Sequence, residues 1–138
     1  MTARGEVNAR LEAVLRLRLR GPNGAEAQVE AVIDTGYTGT LTLPAPVVAS
    51  LGLERGGGGQ AVLADGTSRR FETFAAEVEW AGAWRGVEAY ALGAEVLIGM
   101  RFLAGHGLRV EVVERGAVKV TALTPAEVAE RGDDPTRV

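Results

Sequence analysis

The chain has 138 residues, 46% of them hydrophobic and 24% charged, with a formal net charge of −3. That length suits one domain with a core of its own, and without a basic stripe or a run of like charge no nucleic-acid partner is expected. There is no cysteine and one histidine, His106, which excludes disulfides, thiolate catalysis and cysteine-based metal sites and leaves a multi-histidine metal site impossible within one chain.

Met1 to Arg10 lacks the apolar run of a signal peptide, and no apolar stretch reaches the roughly 20 residues of a membrane span. A cytoplasmic protein with no membrane partner is therefore expected, its first ten residues forming an N-terminal arm. Leu11 to Arg20 alternates, with Leu11, Ala13, Leu15, Leu17 and Leu19 on one face and Arg16, Arg18 and Arg20 on the other. That is the pattern of a half-buried strand. Gly21-Pro22-Asn23-Gly24 turns the chain, and Ala25 to Ile33 alternates again, so the two runs predict a hairpin. Asp34-Thr35-Gly36-Tyr37-Thr38-Gly39 interrupts with small, polar, turn-capable residues before a short strand, Thr40 to Leu43. Pro44 and Pro46 suit the first turn of a helix over Ala45 to Leu51, ended by Gly52.

Gly56 to Gly59 predicts a flexible loop. Ala61 to Ala64 and Ser68 to Phe74 flank Asp65-Gly66, a strong hairpin signal. Ala75 to Trp80 and Trp84 to Leu92 flank a second turn, Ala81-Gly82-Ala83. Glu95 to Ile98 is a short apolar run ending at Gly99, and Met100 to Ala104 suits a helical turn or two. A third hairpin joins Leu108–Val113 to Ala117–Thr121 through Glu114-Arg115-Gly116. Thr124-Pro125-Ala126-Glu127 has capping-box spacing with proline at the first helical position, predicting a short helix to Arg131 and a frayed tail over 133–138. His106 has no serine partner by spacing and reads as a structural or surface histidine; Trp80 and Trp84 read as packing anchors.

The chemistry lies in Asp34-Thr35-Gly36, which sets a carboxylate at the end of an apolar strand, on a tight loop where glycine permits close backbone approach. In order along the chain, Ala31–Gly39, Leu41-Thr42-Leu43-Pro44, Leu63-Ala64-Asp65-Gly66 and Val96-Leu97-Ile98-Gly99-Met100 resemble the retropepsin-like aspartic peptidases, most closely small prokaryotic members with a D-T-G-aromatic motif. The resemblance runs from about Leu11 to about Leu123. It implies an all-β, closed-barrel fold with one or two short helices, residues 11–123 as the peptidase domain, and 124–138 as a C-terminal helix and tail. It further implies that Asp34 is the catalytic carboxylate, that Thr35 hydrogen-bonds across a two-fold axis, and that Gly36 lines the cleft. Tyr37 and Thr38 would border the substrate, the hairpin tipped by Ala64, Asp65 and Gly66 would close over it, and Ile98 and Gly99 would pack beneath the loop. Tyr37 departs from the small or hydroxyl residue of viral and pepsin-like members.

Aspartic proteolysis needs two carboxylates sharing one proton. The chain has four aspartates, Asp34, Asp65, Asp133 and Asp134, and none of the other three repeats the strand–loop–strand setting of Asp34. The economical partner is Asp34 of a second copy about a two-fold axis. The expectation is a homodimeric endopeptidase acting on peptide or protein substrates without cofactor or metal. A non-catalytic dimeric peptide-binding or dimerisation module on the same fold is the alternative.

Overall fold

The structure, a computed structural model, describes residues 1–62 and 64–132, Ala61 by its backbone alone. The expected tail over 133–138 and Leu63 of the expected hairpin strand lie outside the described residues. The chain forms β1 (Thr2–Val7), β2 (Ala13–Arg20), β3 (Glu26–Ile33), β4 (Leu41–Leu43), α1 (Ala45–Leu51), β5 (Glu54–Arg55), β6 (Gly59–Val62) and β7 (Ser68–Phe71). It continues with β8 (Thr73–Trp80), β9 (Ala83–Ala91), β10 (Val96–Ile98), β11 (His106–Val110), β12 (Ala117–Ala122) and α2 (Pro125–Gly132).

The leucines of β2 set the core. Leu15, Leu17 and Leu19 are buried while Arg16 and Arg18 between them reach water, the period-two alternation of a strand with one wet face. β2 runs antiparallel to β3, and the sheet continues through β10, β4, β9 and β8. Pairing of β8 back onto β2, Leu19 opposite Val78 and Arg20 opposite Glu77, closes a six-stranded barrel. Both apolar members of that closure, Leu19 and Val78, are fully buried, and removing each such side chain from water stabilises by about 1.5–3 kcal/mol. Outside, the Arg18 guanidinium spans Glu26 (2.8 Å) and Glu79 (2.9 Å), Arg20 meets Glu77 (2.9 Å), and Arg20 lies over the Trp84 ring at 4.2 Å.

Where local pattern is strong, structure follows it. α1 covers the predicted residues, with Gly52 left-handed (φ 60°) at its end. At α2 the Glu127 N–H donates to Thr124 Oγ1 (3.2 Å) and the Thr124 N–H to Glu127 Oε2 (3.0 Å), the reciprocal capping box. Trp80 packs edge-on against Phe102 with ring centroids 5.0 Å apart. Its indole N–H donates to His106 Nε2 (3.1 Å), which leaves the proton on Nδ1, 3.0 Å from the Ala104 carbonyl. His106 is thus held in a structural network.

Four expectations need correction. The N-terminal arm is a strand: β1 pairs with β12 from Thr2↔Thr121 to Glu6↔Ala117 and touches β2 at Glu6↔Val14 and Val7↔Ala13. Leu11 does not open β2 but sits exposed in the preceding turn at φ 58°. β11 ends at Val110, so Val112 and Val113 belong to the exposed turn. Residues 100–105 form successive turns, with the Phe102 N–H on Gly99 O and the His106 N–H on Leu103 O, rather than a helix. The two-residue strand β5, paired with Phe74 and Ala75 of β8, carries no local signal.

Candidate active site

The loop after β3 is built by a strand from far along the chain. β10 inserts between β3 and β4, parallel to β3 (Ile98↔Ile33) and antiparallel to β4 (Ile98↔Leu41). The buried Thr42 side chain reinforces the second pairing by accepting the Leu97 N–H at 3.1 Å. The Asp34 N–H then donates to Ile98 O (2.9 Å), carrying the β3–β10 ladder one residue beyond the strand. Three further bonds tie the loop to the same segment: Gly99 N–H to Thr40 O (3.0 Å), Met100 N–H to Tyr37 O (2.8 Å) and Arg101 N–H to Gly39 O (3.1 Å). The loop's geometry is therefore fixed by backbone bonds on a rigid sheet.

Within the loop, Asp34 Oδ1 accepts the Gly36 N–H at 2.9 Å, a turn closed by the carboxylate itself. The Tyr37 N–H donates to Asp34 O at 3.1 Å. Asp34 is half-buried, while Thr35, Gly36 and Thr38 are exposed. Thr35 makes no hydrogen bond among the described residues.

The Tyr37 ring fills a slot between two glycines. A Cβ on Gly99 would overlap the Gly39 carbonyl and approach Tyr37 Cδ2 to 2.7 Å; a Cβ on Gly39 would lie 2.6 Å from Tyr37 Cε1. Neither position has room for a side chain while the ring is in place. The Tyr37 hydroxyl is buried without a hydrogen-bond partner among the described residues. Burial pushes its pKa up to about 12, with the neighbouring Tyr90 and Glu88 acting in the same direction. Tyr90 and Glu88 are the neighbours that the sequence pattern could not identify. Both sit on β9, which lies parallel to β4 with Tyr90 opposite Thr42, a pairing with no local signature.

The expected hairpin forms from β6 and β7, with Val62 opposite Ser68. At its tip Asp65 Oδ1 accepts both the Thr67 N–H (3.0 Å) and the Thr67 hydroxyl (2.6 Å). Those bonds, the hydroxyl first, hold the Asp65 carboxyl below its ordinary pKa. Ala64, Asp65 and Gly66 are exposed at this tip. The hairpin rises from Gly56–Gly59, and at its root Gly59 lies close against Tyr90, with Phe71 edge-on to Tyr90 at 6.3 Å. Asp34 to Thr38 thus share one loop and Ala64 to Gly66 one hairpin tip, with Tyr90 packed at the hairpin root. Four surface cavities of about 380–600 Å³ are lined by other residues. No cluster of three or more His, Asp or Glu side chains suited to a metal is present among the described residues.

No protein-family model and no curated protein sequence matches the chain. Among solved structures it is similar to a retropepsin-like aspartic protease from Rickettsia conorii, with a TM-score of 0.57 and 12% sequence identity, covering 88% of this chain and 91% of that one. The chain has a retropepsin-like fold: a mostly β structure with a closed six-stranded barrel and two short helices.

Proposed function

We propose that the chain is one subunit of a homodimeric aspartic endopeptidase in which two Asp34 carboxylates, one per subunit, activate a water molecule. The supporting observation is that a retropepsin-like barrel presents Asp34 on a loop braced by four backbone bonds to residues 98–101. The loop is open at its outer side, with Thr35 and Gly36 exposed, where a second copy can meet it. Two like charges about 3 Å apart do not ionise together easily, so the pair holds one proton over a range of pH. The ionised member takes a proton from water as the oxygen attacks the peptide carbonyl, and the protonated member donates a hydrogen bond to the carbonyl oxygen. The tetrahedral intermediate collapses when the leaving nitrogen receives a proton from the pair. No covalent intermediate, metal or cofactor takes part.

In this reading Thr35 bonds to the partner loop and Gly36 lets substrate approach. The substrate lies extended, bonded through its backbone as an added strand would be, between Tyr37 and Thr38 on one side and the hairpin tip, Ala64 to Gly66, on the other. Activity is expected on the acidic side of neutral, because a doubly ionised pair lacks the proton the carbonyl needs. A cytoplasmic location belongs to the same reading.

The test is cleavage of an unbiased peptide library from pH 3 to 8 by wild type and Asp34→Asn, with the oligomeric state followed by analytical ultracentrifugation. Cleavage by a dimer that is lost in the variant supports the proposal. A folded dimer that binds peptides without cutting them would point to the binding module, and an active monomer would overturn the paired-aspartate mechanism.

A further inference from the structure

Arg85 of β9 stands on the side of its strand that faces the core. It lies directly opposite Val78 of β8, which is fully buried, and directly opposed residues share one face of a sheet. Val87, next on that face, packs against the core. Period-two alternation calls for an apolar residue at position 85, yet the position holds a half-buried guanidinium. No carboxylate pairs with it among the described residues. Instead its Nη1 group donates to the Phe102 carbonyl at 3.0 Å, and the guanidinium carbon lies 4.4 Å from the Phe102 ring centroid. Taking a charge out of water without a counter-ion is costly, so an apolar side chain would serve packing better. What the guanidinium adds is a grip on one backbone carbonyl and one ring.

The gripped residue ends the floor beneath Asp34. The N–H groups of Gly99, Met100 and Arg101 donate to Thr40, Tyr37 and Gly39, and Phe102, next along, is fully buried with its own N–H turned back on Gly99 O at 3.1 Å. The near end of this floor is held by Ile98, laddered between β3 and β4. Its far end is held from β9 through the Phe102 carbonyl. We infer that Arg85 is a positioning residue for the Asp34 loop, clamping the far end of the floor through the Phe102 carbonyl and ring. A guanidinium suits this better than an ammonium, because its planar fork donates to the carbonyl while its face lies over the ring. Loss of the clamp lets residues 99–101 shift, and displacement of a reacting group by about 1 Å is enough to slow a reaction by up to two orders of magnitude. The consequence for catalysis rests on the peptidase reading, whereas the consequence for the order of the loop does not.

The test compares wild type with Arg85→Met and Arg85→Lys by amide hydrogen exchange, urea unfolding and, on a peptide that wild type cuts, steady-state kinetics. Methionine keeps an apolar stem and loses the grip; lysine keeps the charge and carries the same test should the methionine variant not fold. In Arg85→Met the urea midpoint should equal or exceed that of wild type. The Met100 and Arg101 amides should nevertheless exchange about tenfold faster, while the amides of β1 and β12 keep their wild-type rates. kcat should fall about tenfold at nearly unchanged KM, and Arg85→Lys should show a smaller part of both changes. Unchanged exchange at Met100 and Arg101 would overturn the inference. So would faster exchange throughout the barrel with a lower urea midpoint, the mark of a structural role alone. Faster exchange at the floor with unchanged kcat would overturn the link to catalysis. If wild type cuts no peptide, the exchange rates still decide whether Arg85 positions the loop, so a failure of the peptidase reading is told apart from a failure of this one.

Discussion

The Tyr37 side chain stores two opposite effects in one slot. Its ring braces the loop between Gly39 and Gly99, while its hydroxyl is buried without a partner. A buried, unpaired hydroxyl costs about 1–3 kcal/mol, so Tyr37→Phe should keep the fold and raise stability by about 1 kcal/mol in urea unfolding. Ionisation adds a second readout. The folded-state pKa, pushed up to about 12, lies above the ordinary tyrosine value of 10.0, so the unfolded chain loses its proton first. The Tyr37 contribution is complete below pH about 10 and is lost as pH rises from about 10 to about 12. In Tyr37→Phe that part of the alkaline decline should be absent, which unfolding curves at pH 9 and 11 will show. Gly99→Ala should act in the other direction: its methyl would overlap the Gly39 carbonyl, and overpacking of this kind costs about 1–3 kcal/mol or more. The family resemblance made the packing of Ile98 and Gly99 beneath the loop legible, but not the housing of the Tyr37 ring. An aromatic after Asp-Thr-Gly shows that a ring must be housed, but the two glycines that house it lie on different segments.

Elements were read well where the signal is local. The α1 boundaries, its glycine stop and the capping box of α2 follow from side chains that meet their own neighbouring backbone, so sequence spacing suffices. The Asp65-Gly66 hairpin was legible for the same reason. Its tip depends on the Asp65 carboxylate accepting two bonds from Thr67, which lower the Asp65 pKa. That support is present above the unfolded carboxylate pKa and is lost as pH falls through the lower folded value. Exchange of the Thr67 amide, corrected for intrinsic rate, should therefore quicken as pH falls below about 4, and Asp65→Ala should show the quicker rate already at neutral pH. β1 and β5 went unread because neither has an apolar face of its own. Arg4, Gly5 and Glu6 become strand only because β12 offers a ladder, and Glu54-Arg55 only because β8 does.

At the scale of the molecule, the barrel is closed by two residue pairs between β2 and β8, and the two kinds of interaction there should weigh differently. Leu19→Ala removes a fully buried side chain and should cost about 2–5 kcal/mol. Arg18→Ala removes two ion pairs whose members are 40–50% exposed, and should cost far less than the loss of Leu19, diminishing with salt. The two variants can be compared by urea unfolding at low and high ionic strength. The closed-barrel class was legible from alternating strands and turn spacing, joined to the ordered motifs of the family resemblance. Strand order was not, because β10 lies between β3 and β4 and β9 beside β4 through contacts far apart in the chain.

That insertion also sets an order of events during synthesis. The loop holding Asp34 has no floor until Ile98 to Arg101 have left the ribosome, and β1 has no neighbour on its outer side until β12 follows at Ala117–Ala122. A nascent chain therefore carries Asp34 on an unformed loop until that segment emerges. Sequence-distant pairings of this kind are closed late and slowly, so β12 anchors β1 long after β1 has emerged, and the loop matures only once residues 98–101 are available.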